Sequence, residues 1–159
     1  GPLSSEGALE TILKQVNKAV AQGAKIEVGG KKPNLTGNFI EATIISNITP
    51  EMDLYKEELF GPVASLYVVK NEEEAIQLAN ATEFGLGGSI FSKDIERAKN
   101  IANQIDSGMI FINHPTKSST DMPFGGTKRS GYGRELSVLG IEEFVNKKLI
   151  RVISEKEKL

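Results

Sequence analysis

Apolar and polar positions in this chain alternate between two periods. Residues 8–22 place Leu9, Ile12, Leu13, Val16, Ala19 and Val20 on one helical face. Gly23 follows where a helix commonly closes with a left-handed residue. Ile26 and Val28 mark a short strand that stops at Gly29-Gly30, and residues 31–42, with their Gly, Pro and Asn, read as loop. Strands are expected over 42–48 and 63–69. Asn71 is a suitable N-cap, with Glu72, Glu73 and Glu74 in the first turn, where the helix dipole favours them. That helix ends near Ala81. A short strand over 88–92 leads to a helix capped by Ser92 or Asp94, with Ile95, Ala98, Ile101, Ala102 and Ile105 inward. Met109-Ile110-Phe111-Ile112 is an unbroken apolar run, as a central strand of a parallel sheet covered on both faces would be. Residues 113–133 lack periodicity, and a loop of that length in a compact domain is usually functional or disordered. A helix over about 134–144 and a last strand over 148–153 close the pattern, with a charged, fraying tail at 155–159. Strands alternating with helices predict an α/β fold with a largely parallel sheet flanked by helices.

Composition narrows the function. With 159 residues, 39% hydrophobic and 25% charged, the chain has the length of one globular domain with a real core. A net charge of −2 supplies no field for nucleic acid or an anionic membrane, so neither is expected as a partner. No apolar run nears the ~18 residues of a spanning helix, and the N-terminus has no signal-peptide pattern. There is no cysteine, so disulfides and cysteine metal sites are excluded within this chain. These features accord with a cytoplasmic location. The lone His114 has no cluster of carboxylates to complete a metal site, so none is expected.

Three segments carry candidate chemistry. In Glu57-Glu58-Leu59-Phe60-Gly61-Pro62-Val63, Glu58 and Phe60 are two residues apart, so in an extended segment they address the same side. A carboxylate can accept both hydroxyls of a ribose, and a ring can pack on a nicotinamide face. Spacing alone fits a surface acid beside a core Phe better. The run Pro123-Phe124-Gly125-Gly126-Thr127-Lys128-Arg129-Ser130-Gly131-Tyr132-Gly133-Arg134-Glu135 combines glycines with three cations. Such loops can cradle phosphate, but the spacing matches neither a Walker A nor a G-x-G-x-x-G fingerprint, and close packing explains the glycines as well. Third, Asn113 ends the apolar strand, and ligands gather at the carboxyl ends of strands in α/β sheets. The loop it opens carries Ser118, Ser119 and Thr120, whose hydroxyls suit either a polar substrate group or a solvated turn.

The first two segments, in this order, resemble the signatures of NAD(P)-dependent aldehyde dehydrogenases, and Phe84-Gly85-Leu86-Gly87-Gly88-Ser89-Ile90-Phe91 resembles a structural stretch of that family. The likeness runs from about Gly1 to Val152. It looks most like the succinate-semialdehyde dehydrogenases, whose matching loop has the same spacing from Asn to Pro as Asn113 to Pro123. Gly1-Pro2-Leu3 matches both a protease-cleavage scar and the Gly-Pro-Leu that family members carry there. The resemblance implies that Glu58 contacts the nicotinamide ribose and Phe60 lies beside the nicotinamide. It implies that Ser118 helps hold the substrate carboxylate and Phe124 lines the pocket, while the glycine-rich run is mostly architectural. Residues 1–145 then correspond to the C-terminal part of the catalytic domain, and residues 146–159 to an oligomerisation strand and tail of a homodimer or homotetramer. The family's Cys nucleophile, Glu general base, carboxylate-binding arginines and most of the NAD or NADP site lie upstream of the matching region. No catalytic residue is therefore expected in this chain. In the family, a thiolate attacks the aldehyde, hydride passes to NAD(P)+ and the thioester is hydrolysed. The chain alone is expected to be inactive. The rival expectation is a self-contained α/β binding or scaffold protein without catalysis.

Overall fold

The structure is a computed structural model that describes residues 1–154; the tail expected to fray, residues 155–159, lies outside the described residues. Contacts divide the chain into two compact units that meet at Lys70 and Asn71.

The first unit is built on helix α1, Glu6–Ala21. The Ser5 hydroxyl caps it by accepting from the Ala8 amide at 3.1 Å. At the other end Gly23, at φ +111°, takes the left-handed position. Its amide donates to Val20 O and that of Ala24 donates to Ala19 O, the two bonds of a Schellman closure. Leu9, Ile12, Val16 and Ala19 form the buried face, as the helical period requires. Strand β1 (Lys25–Val28) pairs antiparallel with β2 (Thr43–Ser46), with a bulge between Ile26 and Val28, and β2 pairs parallel with β3 (Val63–Ser65). Val16, Ala19 and Ala24 join Ile45, Ile48, Met52 and Leu54 in the main core, while Leu9, Ile12 and Ile40 form a second cluster. The buried Thr43 hydroxyl holds the β1–β2 connection, donating to Glu41 O at 2.7 Å and accepting from the Gly30 amide at 2.8 Å.

The second unit opens with α2 (Glu72–Asn80), capped by Asn71. Strands β4 (Phe84–Gly85) and β5 (Gly87–Ile90) follow, then α3 (Ile95–Ala102), capped by Asp94 rather than Ser92. Strand β6 (Met109–Ile112) pairs parallel with β5, and β7 (Thr127–Lys128) pairs antiparallel with β4. Helix α4 spans Ser137–Glu142. The Asn80 side chain staples the end of α2 to the segment after α3, donating to Gln104 O and accepting from the Asp106 amide, both at 2.8 Å.

The α/β class is as expected. Parallel pairing holds for β2–β3 and β5–β6; β1 adds antiparallel to β2, and β4–β7 is a separate antiparallel pair. Four expectations are corrected. Strand β3 stops at Ser65 instead of reaching residue 69. Met109–Ile112 has one strand neighbour, β5, and is half-buried along its length, so it is not central in this chain. Helix α4 starts late because Glu135 is held in a backbone bridge to Phe124. Residues 148–153 form no strand, because no other described strand offers them a ladder; Leu149, Ile150 and Val152 are exposed.

Candidate functional site

In the first unit, the segment carrying Glu58 and Phe60 leaves a single 3-10 turn, Asp53–Tyr55, whose Leu54 is buried. Gln15 on α1 fixes this segment, its Nε2 donating to Glu57 Oε2 at 3.0 Å and to the Glu58 carbonyl at 3.3 Å. Leu59 turns inward against both cores. Its neighbours on either side face out, and Phe60 is 76% exposed. The core position that spacing favoured for this Phe is therefore not realised. The Gly61 amide donates to Leu59 O at 2.9 Å and the Val63 amide to Gly61 O at 2.8 Å. These are two consecutive three-residue turns, centred on Phe60 and Pro62. A side chain at Gly61 would collide with Ile12 Cδ1 of the buried helix face, so the glycine lets the motif lie directly on α1. The Glu58 carboxylate has no hydrogen bond or ion pair within the described residues.

In the second unit, Asn113 extends the β5–β6 ladder past its last residue. Its side chain accepts from the Ser92 amide and donates to Ser92 O, both at 2.8 Å, and its own amide donates to Ile90 O. Asn113 takes φ +56°, which turns the chain out of the strand. The loop that follows closes over a pocket of about 210 Å³ lined by Leu86, Gly87, Met109, Thr116, Lys117, Ser118 and Phe124. Ser118 and Phe124 are thus brought together. Phe124 is fixed by its backbone, which exchanges hydrogen bonds with Glu135 at 2.8 and 2.7 Å. The Ser119 and Thr120 hydroxyls do not line the pocket. Ser119 donates its hydroxyl to Asp121, the largest cause holding that carboxyl below its ordinary range; the Lys117 charge adds to it. Thr120 O accepts from the Ser137 amide at 3.0 Å and ties the loop to the start of α4.

The sequence missed Leu86, Gly87 and Met109 as pocket residues. The signal is register: β5 and β6 pair Gly87 with Met109, which sets Met109 beside Gly87 and its chain neighbour Leu86. Thr116 and Lys117 had a signal, since they adjoin Ser118 in the same loop.

The glycine-rich run consumes its own cations. Arg134 Nη1 donates to Gly126 O at 2.9 Å and Gly133 O at 2.7 Å. Lys128 Nζ donates to Asn80 O and Thr82 O and lies 3.6 Å from Asp106. Arg129 pairs with Glu83 at 2.5 Å and lies 5.7 Å above the Phe84 ring centroid. These contacts fit the architectural reading. Among the described residues no cluster of three metal-ligating side chains occurs, and no helix is long and apolar enough to cross a membrane.

The sequence profile of the aldehyde dehydrogenase family matches residues 1–150. The succinate-semialdehyde dehydrogenase (NADP(+)) of Deinococcus radiodurans is 51% identical over 158 residues, covering 99% of this chain and 33% of that protein. The protein of the same name from Mycobacterium leprae is 47% identical over 150 residues, covering 94% and 33%. Among solved structures, succinic semialdehyde dehydrogenase from Streptococcus pyogenes with NADP+ superposes with a TM-score of 0.93 at 46% identity, covering 96% of this chain and 34% of that one. Betaine aldehyde dehydrogenase from Staphylococcus aureus with NAD+ gives 0.86 at 39%, covering 98% and 33%. The chain spans about a third of the length of the curated relatives it matches.

Proposed function

The chain belongs to the aldehyde dehydrogenase family, and from that premise we propose that it is the C-terminal third of an oxidoreductase that oxidises an aldehyde, succinate semialdehyde, to the carboxylic acid with NAD(P)+. The observation that carries this reading is that Ser118 and Phe124 line one small pocket; it lies at the amino-terminal end of β5 and β6, beside Gly87 and Met109, and not at the carboxyl end where Asn113 opens the loop. Apolar walls from Met109, Leu86 and Phe124 suit a short aliphatic chain, and the Ser118 hydroxyl suits its carboxylate. The names of the relatives point to the same substrate.

Glu58 and Phe60 fit a nicotinamide nucleoside. The first is an acceptor with no internal partner, and the second is an exposed ring held by two tight turns. In this reading Glu58 accepts the ribose hydroxyls and Phe60 packs beside the nicotinamide, fixing the ring's orientation. The bound dinucleotide supplies the hydride acceptor. Ser118 orients the carboxylate end of the aldehyde, and Phe124 excludes water from its aliphatic part. The nucleophile belongs to a preceding segment of the enzyme, since this chain has no cysteine. NADP+ is the form named for the succinate-semialdehyde relatives, and NAD+ accompanies the betaine aldehyde neighbour.

A division at 145, with residues 146–159 as an oligomerisation element, belongs to the same proposal, as do a homodimeric or homotetrameric assembly and a cytoplasmic location. Assaying the enzyme expressed with its upstream sequence tests the function. Reduction of NADP+ or NAD+ dependent on succinate semialdehyde is the expected result, and the 159-residue chain alone gives none. Turnover by the chain alone, or none by the longer protein, overturns the reading.

A further inference from the structure

We propose that Lys117 is a specificity residue of this pocket, drawing the carboxylate of an anionic aldehyde toward Ser118; the inference rests on the function proposed above. Lys117 is the one charged side chain among the seven residues that line the pocket. Its ammonium has no carboxylate within ion-pair distance among the described residues, whereas Lys18, Lys25, Lys99, Lys128 and Lys147 each have one. The acid of the same loop, Asp121, is hydrogen-bonded to the Ser119 hydroxyl and feels the Lys117 charge without forming an ion pair with it, so the ammonium has no direct carboxylate partner in the loop. Met109, Leu86 and Phe124 form an apolar wall with a cation and a hydroxyl adjacent on the loop. That arrangement matches a short aliphatic chain ending in a carboxylate. A cation on an exposed loop acts through solvent, so its effect is modest and sensitive to salt. It also raises the local concentration of anionic substrate before contact.

The test uses the enzyme expressed with its upstream sequence, carrying Lys117→Met, Lys117→Arg or Lys117→Glu, with succinate semialdehyde and uncharged butanal as substrates. Lys117→Met is expected to raise KM for succinate semialdehyde up to about fivefold, the upper end for an exposed charge pair, with a clearly smaller effect on the butanal parameters. Lys117→Arg should retain wild-type KM and Lys117→Glu should exceed the Met variant. The differences should vanish near about 1 M salt, where the Debye length is about 3 Å. Equal effects on both substrates, no effect on either, or effects that persist at high salt overturn the role of Lys117 while leaving the proposed function standing. A wild-type enzyme that oxidises butanal but not succinate semialdehyde overturns the substrate reading and this inference with it.

Discussion

Glu58 and Ser118 are the residues on which the proposed chemistry is most directly tested. Replacing Glu58 with Gln keeps its size and the Gln15 contact to its backbone, and removes only the charge proposed to hold the ribose. In the longer enzyme, hydride transfer measured before the steady state should slow, with only a modest change in cofactor affinity. A displacement of ~1 Å at the reacting centre can cost ~10²-fold. Unchanged transfer assigns Glu58 to the surface. Ser118→Ala should raise KM for succinate semialdehyde roughly tenfold or more, the value of a hydrogen bond to a charged group, and leave an uncharged aldehyde of similar size nearly unaffected. Equal effects on both remove Ser118 from carboxylate recognition. Of the four residues expected at the site, Ser118 and Phe124 are brought together, and Glu58 and Phe60 share an outward-facing segment of the first unit. These four were legible because each sits in a motif that resembles the family's; spacing alone favoured a core position for Phe60. Leu86, Gly87 and Met109 were not, because they reach the pocket through strand register, which no local pattern reports.

Elements were legible where the local signal was strong. The α1 face, the caps at Asn71 and Asp94, and the limits of β6 follow from period and capping chemistry. The two-residue strands β4 and β7 were not readable, because a period of two cannot register in two residues. The shortened α4 follows from the Glu135 bridge together with the backbone just after it. Leu136 and Ser137 take φ +61° and +51°, a conformation unfavourable to side chains, and the helix cannot begin before it. Gly23 shows the same constraint met by the right residue. At φ +111° any side chain is strained, although the space beside it is ordinary, with Met52 Cε 3.6 Å from where a Cβ would lie. Gly23→Ala should therefore destabilise the first unit by roughly 1–2 kcal/mol, seen as a lower midpoint in denaturant with an unchanged slope. An unchanged midpoint shows that the α1 closure adapts without the left-handed residue.

At the scale of the whole molecule, burial is lopsided. Leu9, Ile12, Val16, Ala19, Ala24, Ile40, Ile45, Ile48, Met52 and Leu54 all lie in the first unit, and among the described residues Ala98 alone represents the second as a buried apolar side chain. The second unit has regular elements but leaves apolar surface in water. Val138, Ile141 and Phe144 are 73%, 67% and 89% exposed, and Leu149, Ile150 and Val152 are 88%, 78% and 85% exposed. A contiguous run of this kind is what an interface covers. Residues 148–153 have the composition of a strand but no partner strand among the described residues. An unpaired segment of this apolarity gains most by adding to a sheet supplied by another chain. Deleting residues 148–159 from the longer enzyme should therefore lower the assembly's mass in sedimentation from that of a dimer or tetramer to a smaller species. The expected loss is of assembly before activity, because the pocket residues Ser118 and Phe124 and the proposed nucleoside pair Glu58 and Phe60 all precede the deletion. An undiminished oligomer after deletion would instead assign these residues to packing within their own subunit, against a segment that precedes this chain.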